Sequence, residues 1–205
     1  MLLSLLLPIA CAPPAADAEV APLAGPMDVR LPGRRTKSPD SAWEALVAEG
    51  GALRLRPFGD ETRAVAVDTD VLPEVAFSPD ERFLVYARLD PLGESDLWLV
   101  ASPWTAAPIR LTDWVGTEDR PVVSPDGRAV AFVAGRTGIA SLWSFALADG
   151  ASTAVQLTNV GLEHVRHPNG VAPAGFVPPP DQTTLRWGQD GLSWVAQKQQ
   201  WTVAP

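Results

Sequence analysis

The stretch Ser78-Pro79-Asp80-Glu81-Arg82-Phe83-Leu84-Val85-Tyr86-Ala87, running on to Asp96-Leu97-Trp98-Leu99-Val100 and Ile109-Arg110-Leu111-Thr112, decides the fold because it recurs. Its second copy reads Ser124-Pro125-Asp126-Gly127-Arg128-Ala129-Val130-Ala131-Phe132-Val133, then Ser141-Leu142-Trp143-Ser144-Phe145, then Val155-Gln156-Leu157-Thr158. The copies are offset by 46 residues at Ser-Pro-Asp, 45 at Leu-Trp and 46 at Leu-Thr. Three markers of different residue type that keep one offset define an internal repeat. A period of this length means an array of like structural units.

Each unit reads as four short strands. Val75-Ala76-Phe77 and Val122-Val123 are apolar runs entering the Ser-Pro-Asp turn. Proline presets φ for the second position of a turn, aspartate bonds to nearby backbone, and glycine accepts positive φ. Runs rich in Val, Phe, Tyr and Leu follow between turn signals, the pattern of strands. They are apolar almost without interruption, so both faces of each sheet are expected to be buried, one sheet stacking on the next.

Fainter copies flank the central pair. Ser38-Pro39-Asp40 leads to Trp43–Ala48, Leu53–Arg56 and Arg63–Val67. Ser41-Ala42-Trp43-Glu44 also fits a helix capping box, but the repeat alignment favours a strand turning at Glu49-Gly50-Gly51. At the far end Asp190-Gly191 leads to Leu192–Ala196 and Trp201-Thr202-Val203. This last copy lies 64 residues beyond Asp126, the surplus being mostly the Pro-rich segment 164–181. A four-stranded repeat of 40 to 45 residues is the period of a β-propeller blade. The expected architecture is all-β, with about four blades at 36–68, 73–112, 119–158 and 172–205, in a small ring or an open arc. The last blade lacks an outer strand, and the alternating segment Met27-Asp28-Val29-Arg30-Leu31 is the expected closing strand.

The Ser-Pro-Asp-Gly turn, the apolar strand, the Leu-Trp strand and the closing Leu-Thr resemble the WD40-like (PD40) repeats of the TolB propeller family. The same repeats occur in propellers that precede prolyl-oligopeptidase-type hydrolases. The resemblance implies a non-catalytic binding or scaffold module with a protein partner in the cell envelope; the alternative is an accessory or substrate-gating propeller of an envelope hydrolase whose catalytic part is absent from this chain. No cofactor is expected. A hydrolase nucleophile elbow, Gly-x-Ser-x-Gly, is absent from the chain. No catalytic residue is therefore assigned.

The N-terminal run 1–11 is apolar and ends at Cys11, the one cysteine. It is too short to span a bilayer as a helix and suits the apolar core of a signal peptide. A cysteine closing such a run resembles the lipobox of bacterial lipoproteins, which implies lipidation at Cys11 and a lipid anchor; the alternative is a plain cleaved signal with an incidental Cys11. Residues 12–26, rich in Ala and Pro, read as a tether. Export to the periplasm or an outer-membrane anchorage is expected.

Composition narrows the partners. The chain has 205 residues, is 46% hydrophobic and carries a net charge of −8, so no basic face for nucleic acid is expected. His164 and His167 are the only histidines, too few for a structural zinc site, and a solvated loop is expected there. Asp80, Asp126 with Gly127, and Asp190 with Gly191 are read as turn residues rather than as a cation-binding ring. Asp90, Glu94 and Asp96 form an acidic loop without calcium-loop order. Of the eight tryptophans, Trp98 and Trp143 share one repeat position and are expected between blades. Trp104 and Trp114 lie outside the repeat pattern, and with Arg120 they are the candidate binding residues at one rim.

Overall fold

The structure, a computed structural model, describes residues 33–136, 140–158, 165–167, 170–171, 185–196 and 199–203. These residues form four antiparallel sheets. The first contains β1 (Arg34–Lys37), β2 (Trp43–Val47), β3 (Leu53–Pro57) and β4 (Val65–Asp68), hydrogen-bonded in chain order. The second contains β5 (Val71–Phe77), β6 (Phe83–Leu89), β7 (Ser95–Ala101) and β8 (Ile109–Arg110). The third contains β9 (Glu118–Val123), β10 (Ala129–Ala134), β11 (Ser141–Ala146) and β12 (Val155–Gln156). Residues 43–47 form a strand, not a helix, pairing Val47 with Leu53 and Trp43 with Pro57.

The fourth sheet departs from the pattern. Its strands are β13 (Val165–His167), β14 (Gly170–Val171), β15 (Arg186–Gly188), β16 (Gly191–Ala196) and β17 (Gln199–Val203), in the order β14-β13-β17-β16-β15. The expected closing strand, 27–31, lies outside the described residues. The outer edge of β17 is held by β13, with Val165 opposite Val203 and Arg166 opposite Thr202. The outer strands of this sheet thus come from the Pro-rich insertion and precede its inner strand in the chain. His167 lies in a strand opposite Gly170 rather than in a loop, and His164 lies outside the described residues.

The Ser-Pro-Asp turns work by one mechanism. Ser124 Oγ donates to Asp126 Oδ1 at 2.6 Å and accepts the backbone N–H groups of Arg128 and Ala129 at 3.1 and 2.8 Å. Ser78 repeats this with Asp80 at 2.8 Å and the N–H of Phe83 at 3.1 Å. The fourth turn residue has positive φ in each copy: Ser41 63°, Glu81 57° and Gly127 73°. Where Glu81 replaces glycine, its Oε1 accepts the backbone N–H of Asp40 at 2.8 Å and so ties the second sheet to the first. The closing Leu-Thr also has a physical reason. Thr112 and Thr158 accept the backbone N–H groups of Leu97 and Leu142 at 2.8 and 2.9 Å, where the outer strand has ended.

Alternation along the middle strands builds the interior. Leu84 and Tyr86 of β6 face the first sheet and pack with Ala45, Leu53 and Leu55, whereas Val85 and Ala87 pack with Val130 and Phe132 of the third. Ala131 and Val133 of β10 turn to the fourth sheet and meet Leu192, Trp194 and Trp201. Burial on both faces of a strand removes any need for polar alternation, hence the continuous apolar runs. The outward face of the first sheet, by contrast, is polar. There Glu44 Oε2 accepts Nε and Nη2 of Arg56 at 2.9 and 2.7 Å.

Two neighbouring glycines give a paired test of the first sheet. Gly50 and Gly51 both have positive φ, 85° and 83°. A Cβ at Gly50 meets nothing within 4 Å, whereas one at Gly51 falls 2.8 Å from the backbone nitrogen of Val71. Gly50→Ala is expected to lose about 1 kcal/mol, the left-handed backbone penalty alone. Gly51→Ala is expected to lose about 2–3 kcal/mol, because the second sheet's first strand must also move. Urea midpoints of the two variants check the difference.

Candidate functional site

The innermost strands β1, β5, β9 and β15 together wall one cavity of about 310 Å³. Its lining includes Arg34, Thr36, Glu74, Val75, Arg120, Val122, Arg186 and Trp187, so every sheet contributes. In the repeat alignment Arg34, Glu74 and Arg120 occupy a single position, four residues before Ser38, Ser78 and Ser124. One repeat position therefore sets a charged girdle around the cavity.

The girdle is internally paired. Arg34 Nη1 donates to Glu74 Oε1 at 3.0 Å, joining the first two sheets. Arg120 Nε lies 3.2 Å from Asp119 Oδ2 within the third. The register of β9 against β10 shifts between Ala131 and Val133, so Arg120-Pro121 bulge out of the ladder. Arg120 has φ 52°, a left-handed conformation uncommon outside glycine. Burial pushes the Asp119 carboxyl up to about 6; the Arg120 guanidinium opposes that rise and the Glu74 charge adds to it. Arg186, on β15, is exposed and donates through Nη1 to the Leu185 carbonyl at 2.9 Å.

The three candidate binding residues are not brought together. Trp104 is not at a rim: it is 1% exposed and packs edge-on against Trp43 and Phe77, with ring centroids at 5.6 and 6.0 Å. Lying outside the repeat, it fills the space between the first two sheets as an inserted wedge. Trp114 is half-buried between the second and third sheets, 5.6 Å from Phe132 and 5.7 Å from Trp143, with the Arg136 guanidinium 4.3 Å over its ring. Only Arg120 lines the cavity. Trp143 sits between sheets, while Trp98 is partly buried under the Arg88 guanidinium at 3.6 Å.

The remaining candidates are placed as follows. The Ser78 and Ser124 hydroxyls hold the Asp80 and Asp126 carboxyls below their ordinary range, and both carboxylates bond within their own turns. Asp190 lies in the turn joining β15 to β16, and Gly191, at φ 114°, opens β16. Asp90 Oδ1 accepts the N–H groups of Leu92 and Glu94 and closes its own loop. Among the described residues no group of three His, Cys, Asp or Glu is gathered to hold a metal. Cys11 lies outside the described residues. Arg34, Glu74 and Arg186 are the residues that sequence reading passed over. For Arg34 and Glu74 the available signal was a charged residue four positions before the turn serine, as at Arg120.

Comparison of the whole structure with solved ones returns the crystal structure of TolB from Acinetobacter baumannii. The match has a TM-score of 0.55 at 17% identity, over 87% of this chain and 55% of that one. The fold is a β-propeller. A puromycin-hydrolysing peptidase of Mycobacterium tuberculosis also matches, with a TM-score of 0.54 at 13% identity, over 78% of this chain and 27% of that one. The propeller spans about half of the TolB chain and about a quarter of the peptidase. Neither the family models nor the curated proteins match the sequence.

Proposed function

We propose that the propeller is a non-catalytic binding module of the bacterial cell envelope that captures a protein partner through its central cavity. The observation that carries this reading is the convergence of four inner strands, one from each sheet, on a cavity lined by charged and apolar side chains together. Concave sites of this kind, with a few placed polar groups among apolar walls, are where folds bind ligands. The nucleophile elbow of a hydrolase is absent from the sequence. The envelope placement rests on the signal-like run 1–11 and the lipobox-like Cys11. The likeness to TolB and to a peptidase supports the fold and leaves both a scaffold and an accessory propeller of a hydrolase compatible with it.

Crosslinking of the tagged chain in cells tests the proposal. Thr36 lines the cavity without belonging to the interior clusters, so Thr36→Trp fills the channel while leaving the fold intact. The expected result is loss of the captured protein with Thr36→Trp and its retention with Leu92→Asp, at a residue 86% exposed in a turn. Capture that survives Thr36→Trp removes the channel as the binding surface. Capture of a hydrolase identifies the accessory role, and capture of a non-enzymatic envelope protein the scaffold role.

A further inference from the structure

We propose that the channel reads a carboxylate carried on a short apolar group, held by Arg34, Arg120 and Arg186. The inference rests on the channel being the capture surface and adds the chemistry of what enters it. Three inner strands each deliver an arginine to one cavity, against a single lining carboxylate, Glu74. The chain as a whole carries a charge of −8, so this is a local reversal of sign. Three arginines against one glutamate leave the lining with an excess of positive charge, and low-dielectric walls focus such a field and draw the opposite charge in.

Two of the arginines are braced from behind. Arg34 donates a hydrogen bond to Glu74 at 3.0 Å, and Arg120 Nε lies in an ion pair 3.2 Å from Asp119 without hydrogen-bond geometry; these carboxylates are only 15% and 28% exposed. Bracing fixes the plane of a guanidinium, and a carboxylate engages at most two of its five N–H donors. A fixed, planar fork recognises a second carboxylate with less ordering cost than a mobile lysine. Arg120 is presented on a bulge at φ 52°, and such strained positions persist where a site over-determines them. Val75, Val122 and Trp187 complete the wall and supply the apolar surface for the group that carries the carboxylate.

A carboxylate of this kind comes from the C-terminus of a polypeptide or from a small branched acid. Calorimetric titration of the folded chain distinguishes them with three probes: acetyl-Gly-Ala-Leu as free acid, its C-terminal amide, and isovalerate. The free acid is expected to bind at least about tenfold more tightly than the amide, as the loss of a charge-assisted hydrogen bond requires. Its affinity is expected to fall as salt is raised. Arg186→Gln is expected to weaken it about fivefold; Arg186 is exposed, so the melting temperature should stay unchanged. Isovalerate binding as well as the peptide assigns the source to a small acid, and weaker isovalerate binding assigns it to a chain end. Equal binding of acid and amide, or no binding of the free acid or isovalerate at millimolar concentration, overturns the inference. If partner capture nevertheless remains sensitive to Thr36→Trp, the capture reading survives and only the carboxylate is lost.

Discussion

Replacing Trp104 with alanine is expected to destabilise the propeller by about 3–5 kcal/mol, the usual cost of emptying a large buried aromatic site. The indole is among the largest fully buried side chains and lies against Trp43 and Phe77 in the core between the first two sheets. That core joins the first two sheets face to face, so backbone relaxation to fill the hole must shift one sheet on the other. Phenylalanine separates volume from polarity. Trp104 Nε1 is buried without a hydrogen-bond partner, so Trp104→Phe loses ring area but also removes an unsatisfied donor. Trp104→Phe is expected to cost less than about 2 kcal/mol. Trp114→Ala, at a half-buried ring, is expected to cost about 1–2 kcal/mol. Urea denaturation of the three variants orders them, and a Trp104→Ala variant as stable as the parent contradicts the interior placement.

Trp104 also shows where sequence reading stops. The repeat made the central blades legible, because Ser-Pro-Asp and Leu-Thr each mark a hydrogen-bonding device that the second and third sheets share. A residue used once has no second copy to betray its role. Trp104 falls in the connection after β7 and reads as a loop aromatic, yet it folds back under Trp43, 61 residues earlier. The same reason hid the outer strand of the fourth sheet. Val165–His167 sits in a Pro-rich insertion without strand periodicity, and its place is fixed by the open edge of β17 rather than by its own residues. The charged girdle is the opposite case. Arg34, Glu74 and Arg120 stand at one repeat position, but side chains of two signs mask the equivalence. Only the pairing of Arg34 with Glu74 and the shared cavity show that the position has a common place.

The buried acid cluster between the second and third sheets makes stability depend on pH, and Glu118→Gln is expected to remove the larger part of that dependence. Glu118 is 0% exposed, at the start of β9. Its Oε2 accepts from the Thr112 hydroxyl at 3.2 Å, and its Oε1 is buried without a partner. The single Thr112 proton is shared with Asp96 Oδ1 at 3.4 Å, while Arg110 is drawn to Asp96 at 2.6 Å and to Asp113 at 2.7 Å. Burial pushes the Glu118 carboxyl up from 4.5 to about 8; the Thr112 hydroxyl and Arg110 oppose the rise, and Asp96 adds to it by its charge and its hydrogen bond. In the unfolded chain the group ionises at its ordinary value. The folded state therefore binds more protons between about pH 4.5 and 8, so the contribution is complete below that window and is lost as pH rises through 8. The loss is on the order of 4 kcal/mol. Asp119, raised from 3.8 to about 6, acts with the same sign in a lower window. Denaturation from pH 4 to 9 therefore separates the two groups. A glutamine at 118 donates its amide to Asp96 and cannot ionise, so the variant should match the parent near pH 5 and exceed it above pH 8. The slope below pH 6 should remain, because Asp119 is untouched. Parallel pH profiles for parent and variant would show that Glu118 is not the titrating group.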